Sequence, residues 1–250
     1  MTLVWSYGGG VQTAGIAVLV AEGILPRPDY IVMADTSRET KTTFDYLDQV
    51  IRPYLAKVDL DVTIVGREHS NVDLYGHNGY LLIPAFTERG RMPTYCSGEW
   101  KREAIRRWLR KQGVQQCTLW MGISFEERHR AKQSNVQWMT HEFPLVDMKI
   151  SREKCFMMVE QAGLPKPPKS CCWMCPLRND EEWQFLQEHD PDGWKQAVEL
   201  DKEIREVYDE GTEELFLHRS RVPLDQVKLG DNGGQLELFA TGCSSGHCFT

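Results

Sequence analysis

What this 250-residue chain lacks narrows its function first. No apolar run approaches the ~18–20 residues of a membrane span. Its first residues enter a strand-like segment without the basic and apolar regions of a secretory leader, so a cytoplasmic protein with no membrane partner is expected. Basic residues are not in excess. The net charge is −7 and the pI about 5.6, which argues against a surface that coats nucleic acid non-specifically and leaves only a local basic patch for that purpose. No internal repeat is visible.

Eight cysteines are present, and in a reducing compartment they do not form a disulfide framework. Cys171, Cys172 and Cys175 crowd together, Cys243 and Cys248 lie in the tail, and Cys96, Cys117 and Cys155 stand apart. Cys172-Trp173-Met174-Cys175-Pro176 is a C-x-x-C turn, whose spacing lets two thiolates face one metal. Cys96 is the first choice for a further ligand, because it precedes a helix and has Lys101 and Arg102 nearby. Cys155, Cys171 and Cys243 compete for a fourth position. An iron–sulfur cluster and zinc are both open as occupants. Cys117 reads as a small buried hydrophobe, and Cys155 is open to the same reading.

Apolar runs at Leu3–Trp5, Tyr30–Ala34, Val62–Val65 and Thr118–Met121 alternate with helical stretches at Val11–Glu22, about Thr40–Leu55 and Lys101–Lys111. That alternation predicts an α/β fold with a parallel sheet and helices on both faces. Glu68–Pro93 reads as a long loop with short pieces. Ser151 caps a helix through Gln161, and Asp180–Val207 gives two helices broken near Pro191. The expected division is a nucleotide-binding domain over 1–147, a helical cysteine-containing region over 148–210, and loops with a mobile tail over 211–250.

The first strand runs into Ser6-Tyr7-Gly8-Gly9-Gly10 and then a helix. Glycine lets backbone approach a phosphate, and the free N–H groups of a helix start point at the anion. The turn lacks the G-x-x-x-x-G-K-S/T pattern, and no lysine follows it, which argues against a Walker-type nucleotide site. By itself the turn reads equally as a tight strand–helix connection. Asp35, at the carboxyl end of the second strand, is where an acid can hold a ribose hydroxyl. Lys101, Arg102, Arg106, Arg107, Arg110 and Lys111 crowd one helix, which reads either as a receptor for a phosphate-rich substrate or as a solvated face. Trp183 and Trp194 read as core of the C-terminal helices.

Ser6-Tyr7-Gly8-Gly9-Gly10-Val11-Gln12-Thr13 resembles the PP-loop of the ATP pyrophosphatase (adenine nucleotide α-hydrolase) superfamily. Ala34-Asp35-Thr36-Ser37-Arg38-Glu39-Thr40, Cys96-Ser97-Gly98-Glu99-Trp100-Lys101, and Gly122-Ile123-Ser124 with Glu127 and Arg130 are similar, in matching order, to segments of its phosphoadenosine phosphosulfate reductase-like branch. Two residues depart from the pattern: Thr13 stands where many relatives have Ser, and Gln12 where many have Asp.

The resemblance implies a Rossmann-like, HUP-type domain that binds ATP or a related adenine nucleotide with Mg2+. Ser6, Gly8, Gly9, Gly10, Thr13, Asp35 and Gly122 would bind the nucleotide, and Arg130, Glu127 and Lys101 would be catalytic. A 4Fe–4S cluster would sit on Cys96, Cys172 and Cys175, with Zn2+ as the alternative. The implied activity is adenylylation of a nucleobase, a nucleic acid or a small acceptor for sulfur transfer, with a sulfur donor or reductant protein as partner and a homodimer as a candidate assembly. A sulfonucleotide reductase, with a tail cysteine as nucleophile, and a non-catalytic regulator with a structural metal are the alternatives.

Overall fold

The computed structural model describes residues 1–66, 73–76, 78–207 and 213–230. Five strands, β1 (Thr2–Ser6), β2 (Tyr30–Ala34), β3 (Thr63–Val65), β6 (Cys117–Met121) and β7 (Met139–Glu142), form one sheet in the order β3-β2-β1-β6-β7, with every pairing parallel. Two more, β4 (Phe86–Thr87) and β5 (Gly90–Arg91), make a separate short hairpin within the stretch expected to be a long loop. Strand β7 was not expected either. Its Met139 and His141 point inward and Thr140 and Glu142 outward, so the segment carries too little apolar character to stand out.

Alternation along the strands divides the core. Trp5, Ile31 and Met33 pack on one face with α1 (Val11–Ala21) and α6 (Arg152–Gln161), while Val4, Val32 and Ala34 face the other with α4 (Glu103–Lys111). Burial on both faces is why these strands read as continuous apolar runs. Gly23, at φ +72°, closes α1, and the Ser151 hydroxyl accepts from the Lys154 N–H at 3.1 Å to start α6. The stretch from α2 (Lys41–Tyr46) to α3 (Arg52–Ala56) is helical throughout but widens to a π-turn at Leu47–Ile51. Pro53 has no N–H to return to the preceding turn, and the wider turn absorbs that loss.

A second core joins Leu81, Ile83 and Trp100 to Trp173 and to the helices α7 (Asp180–His189) and α8 (Pro191–Val207). Trp183 and Trp194 meet edge-to-face inside it, as expected of core residues. Glu213–Gly230 is irregular, as expected, but it is not a loose tail. Leu215, Leu217 and Leu224 are buried, and the Asp201 carboxylate accepts the Leu217 and Leu224 N–H groups, each at 2.8 Å. Residues 231–250, with Cys243 and Cys248, lie outside the described residues. Among the described residues no helix is long and apolar enough to cross a membrane.

Strand order reverses between β1 and β6, whose adjoining connections run on opposite faces of the sheet while the two strands stay paired through Ser6 and Met121. Such a switch point is where open α/β sheets bind ligands.

Candidate nucleotide and thiol sites

The glycine turn lies at that switch point. Gly9 adopts φ +76°, and a β-carbon there would stand 2.6 Å from Thr43 Cγ2, so both conformation and space require glycine. Gly10 caps α1 without any side-chain bond, leaving the first amides of the helix to a ligand. Thr13 donates its hydroxyl to the Gly10 carbonyl at 2.8 Å and turns its methyl to Gly122. A β-carbon at Gly122 would meet that methyl at 2.8 Å, so Gly122 allows the end of β6 to close on the start of α1.

In front of this turn is a cavity of about 480 Å3, a size typical of ligand sites. Ser6, Gly8, Gly10, Thr13, Gly122 and Arg130 all line it. Arg130 and Glu127 are not on a solvated helix. They form a buried ion pair of 3.0 Å in a 3₁₀ turn, Phe125–Arg130. The second Glu127 oxygen accepts from Gln12 Nε2 and Ser124 Oγ, each at 3.1 Å. Glu127 is therefore committed to holding Arg130 and Gln12 in place.

Asp35 has a different local task. It does not line the cavity, and its Oδ1 accepts the Ser37 N–H at 2.6 Å, holding Ser37 at φ +59°. This turn brings the next residues to the cysteine loop. The Trp173 N–H donates to the Arg38 carbonyl at 2.8 Å, and Glu39 bridges to Cys172. The Cys172 thiol lies 3.6 Å from Thr36 Oγ1 and 3.7 Å from Glu39 Oε1. Lys101 Nζ pairs with that same Oε1 at 2.6 Å, while Glu39 Oε2 is buried without a partner among the described residues.

Burial pushes the Cys96, Cys171, Cys172 and Cys175 thiols up, Cys175 to about 12. The thiols also sense one another: Cys175 is raised further by Cys171 and Cys96, and Cys172 by Glu39 and Cys175. Lys101 opposes this at Cys96 and Cys172. Without a strong positive centre these thiols stay protonated, because a lone ammonium already bound to Glu39 does not outweigh their desolvation.

Among the described residues, no group of three or more His, Cys, Asp or Glu side chains is arranged to hold one metal ion. A single zinc needs all its ligands on one centre, whereas a cluster spreads its thiolates over separate irons. Soft sulfur donors in one buried region suit zinc and an iron–sulfur centre alike. Of the rival ligands, Cys171 belongs to this thiol group. Cys155 packs on Gly15 in the core between α1 and α6, and Cys117 is fully buried in β6.

The basic helix divides: Arg107, Arg110 and Lys111 are exposed to solvent, while others turn inward. Lys101 points to Glu39. Arg106 is buried against Glu103 and Asn135 at 2.8 and 2.6 Å, and Arg110 stacks 4.1 Å from the Trp138 ring centre.

Two site residues carried no individual signal in the sequence. Glu39 sat within a matched segment without a role. Ser170, whose hydroxyl donates to the Gly8 carbonyl, is 162 positions away from its partner.

No protein-family profile matches the chain, and no curated protein matches it in sequence. Among solved structures it is similar to a phosphoadenylyl-sulfate (PAPS) reductase from Candida auris, in its phosphate complex, at 11% identity and TM-score 0.44, covering 67% of this chain and 75% of the other. It is also similar to the U34-tRNA thiolase NcsA from Methanococcus maripaludis with its 4Fe–4S cluster, at 12% identity and TM-score 0.47, covering 81% and 71%.

Proposed function

We propose that this protein is an ATP-dependent adenylylating enzyme that activates a nucleobase or small acceptor for sulfur transfer. One observation carries the reading. Glu39 and Lys101 border the glycine turn, in a narrow gap shared with Ser6 and Gly8, and the same two side chains adjoin the thiols of Cys172 and Cys96. Phosphate chemistry and sulfur chemistry are therefore neighbours.

In this reading residues 1–147 bind the nucleotide, 148–210 bring the C-x-x-C thiols, and 211–250 follow as the tail. The amides of Gly8, Gly9 and Gly10 and the start of α1 receive the polyphosphate, with Ser6 and Thr13 beside it. Arg130, aimed by Glu127, stabilises charge at the α-phosphate. The acceptor's carbonyl oxygen attacks the α-phosphorus, the α–β bridge breaks, and pyrophosphate leaves with the bonding electrons. A hydrosulfide-class donor then attacks the acceptor carbon through sulfur, AMP departs with the former carbonyl oxygen, and loss of the sulfur-bound proton leaves the thiocarbonyl. A 4Fe–4S cluster on Cys96, Cys172 and Cys175 would supply the sulfur-carrying chemistry. Lys101, fixed by Glu39, keeps a positive charge against those thiolates.

The test is pyrophosphate release from ATP by anaerobically purified protein, with candidate acceptors present. Pyrophosphate and AMP in equal amounts are expected. An Arg130→Met variant should lower the rate about 10²–10³-fold. Conversion of an adenylyl sulfate without pyrophosphate release would replace this reading with a sulfonucleotide reductase.

A further inference from the structure

A second cavity, of about 190 Å3, lies on the α4 side of the sheet and shares Ser6, Met121 and Arg130 with the first. Its floor is apolar, built from Ile105, Leu119, Met121 and Met139, and its rim is cationic, with Arg102, Arg106 and Lys132. Ser97 and Gly98, which directly follow Cys96, complete the wall. The cavity therefore touches the nucleotide turn at one end and the thiol-bearing loop at the other.

His141 of β7 also lines it and is only 8% exposed. Its Nδ1 lies 2.9 Å from the Lys132 carbonyl, which can only accept, so Nδ1 carries the ring proton. Burial first, and then the charges of Arg106 and Arg102, hold the imidazole below its ordinary range and keep it neutral. Nε2 is thus a bare lone pair, buried and without a partner among the described residues.

These features select a ligand by exclusion. A fully deprotonated inorganic anion such as sulfate would satisfy the rim but present only oxygen lone pairs to Nε2. A cation would be repelled by Arg102, Arg106 and Arg130. An aliphatic group would leave Nε2 unpaired, which a buried acceptor does not tolerate cheaply. A flat, neutral ring with an N–H donor, joined to an anionic group, satisfies floor, lone pair and rim together. The volume falls below the ~300–1,000 Å3 of pockets for drug-sized ligands, so it suits one ring system with its phosphate outside.

We propose that this cavity receives the heterocyclic base of a nucleoside phosphate, the acceptor of the reaction, with His141 Nε2 accepting a base N–H and Arg102 and Lys132 meeting the phosphate. The proposal rests on the ATP-dependent reading above and names its acceptor class. It places the ring between Arg130 and the residue after Cys96, where activation and sulfur delivery converge. The base belongs either to a free mononucleotide or to a nucleotide swung out of a polynucleotide.

The test is calorimetric titration of the protein, saturated with α,β-methylene ATP, with the four nucleoside 5′-monophosphates and with a short single-stranded RNA. At least one probe binds. His141→Ala weakens that binding about 10- to 100-fold, and His141→Gln, whose amide oxygen stands near the Nε2 position, restores part of it. Affinity for the ATP analogue stays unchanged in both variants. Binding of a mononucleotide identifies the free source, and binding of RNA alone identifies the polynucleotide. Absence of binding by every probe overturns the proposal. So does a matching loss of ATP-analogue affinity in His141→Ala, which would assign the cavity to the adenine of ATP itself. If wild-type protein fails to bind the ATP analogue, the enzymatic reading fails, and the same titrations without nucleotide still decide what the cavity takes.

Discussion

Replacing Gly9 with alanine tests the phosphate cradle through its sterics. The left-handed backbone at φ +76° costs an L-residue about 1–2 kcal/mol. A β-carbon 2.6 Å from Thr43 Cγ2 and 3.1 Å from Ser170 Oγ adds overpacking, for a further ~1–3 kcal/mol. Gly9→Ala should therefore lose about 2–5 kcal/mol in urea unfolding. Binding of an ATP analogue, followed by calorimetry, should weaken at least about tenfold as the turn shifts.

The two contributions separate in a double mutant. Thr43→Ser deletes only Cγ2 and keeps the hydroxyl that lies 3.0 Å from Thr40 Oγ1. Alone it should cost about 0.5–1.5 kcal/mol, as for loss of one buried methyl. Combined with Gly9→Ala it should relieve the clash, leaving mainly the backbone cost. The coupling should be about 1–3 kcal/mol and favourable. Additivity within about 0.5 kcal/mol would refute the packing argument, because residues in contact must couple when one relieves the other.

Three further outcomes follow from the same geometry. Glu39→Gln leaves the part-buried Lys101 ammonium without the Glu39 carboxylate and should destabilise the protein by up to about 3 kcal/mol in denaturant titration; the loss should be smaller in Glu39→Gln/Lys101→Met. His141 and His218 are both held below the ordinary histidine range, chiefly by burial, so the unfolded chain binds more protons than the folded one in acid. Stability is then full above about pH 6.5, falls as pH drops from there toward the lower folded values and levels off below them; His141→Gln should flatten the part of that slope due to His141. Cys172→Ser and Cys175→Ser should each abolish the visible absorption and bound iron of anaerobically purified protein while Cys155→Ser retains both, as judged by metal analysis.

The sequence made the sheet legible where strands are buried on both faces. Tyr30–Ala34 is an unbroken apolar run because α1 and α6 cover one side and α4 the other. Strand β7 escaped because it places a histidine, not an aliphatic residue, among its inward positions. The glycine turn was legible since backbone geometry leaves a local mark. The partners of each side chain were not. Nothing local to Asp35 says that its carboxylate holds Ser37, and nothing local to Arg106 says that it turns inward to Asn135. The meeting of Cys96 with Cys171 and Cys175, far apart in sequence, is something only the folded chain brings about.

Ser170 ties these centres mechanically. Its hydroxyl leans on the Gly8 carbonyl, and its carboxyl neighbour is Cys171, first of the clustered thiols. One peptide bond thus separates the strut under the glycine loop from the sulfur-bearing segment. A ligand that lifts or presses that loop must pull on the same strut. The glycine loop and the thiol segment therefore share one anchoring contact.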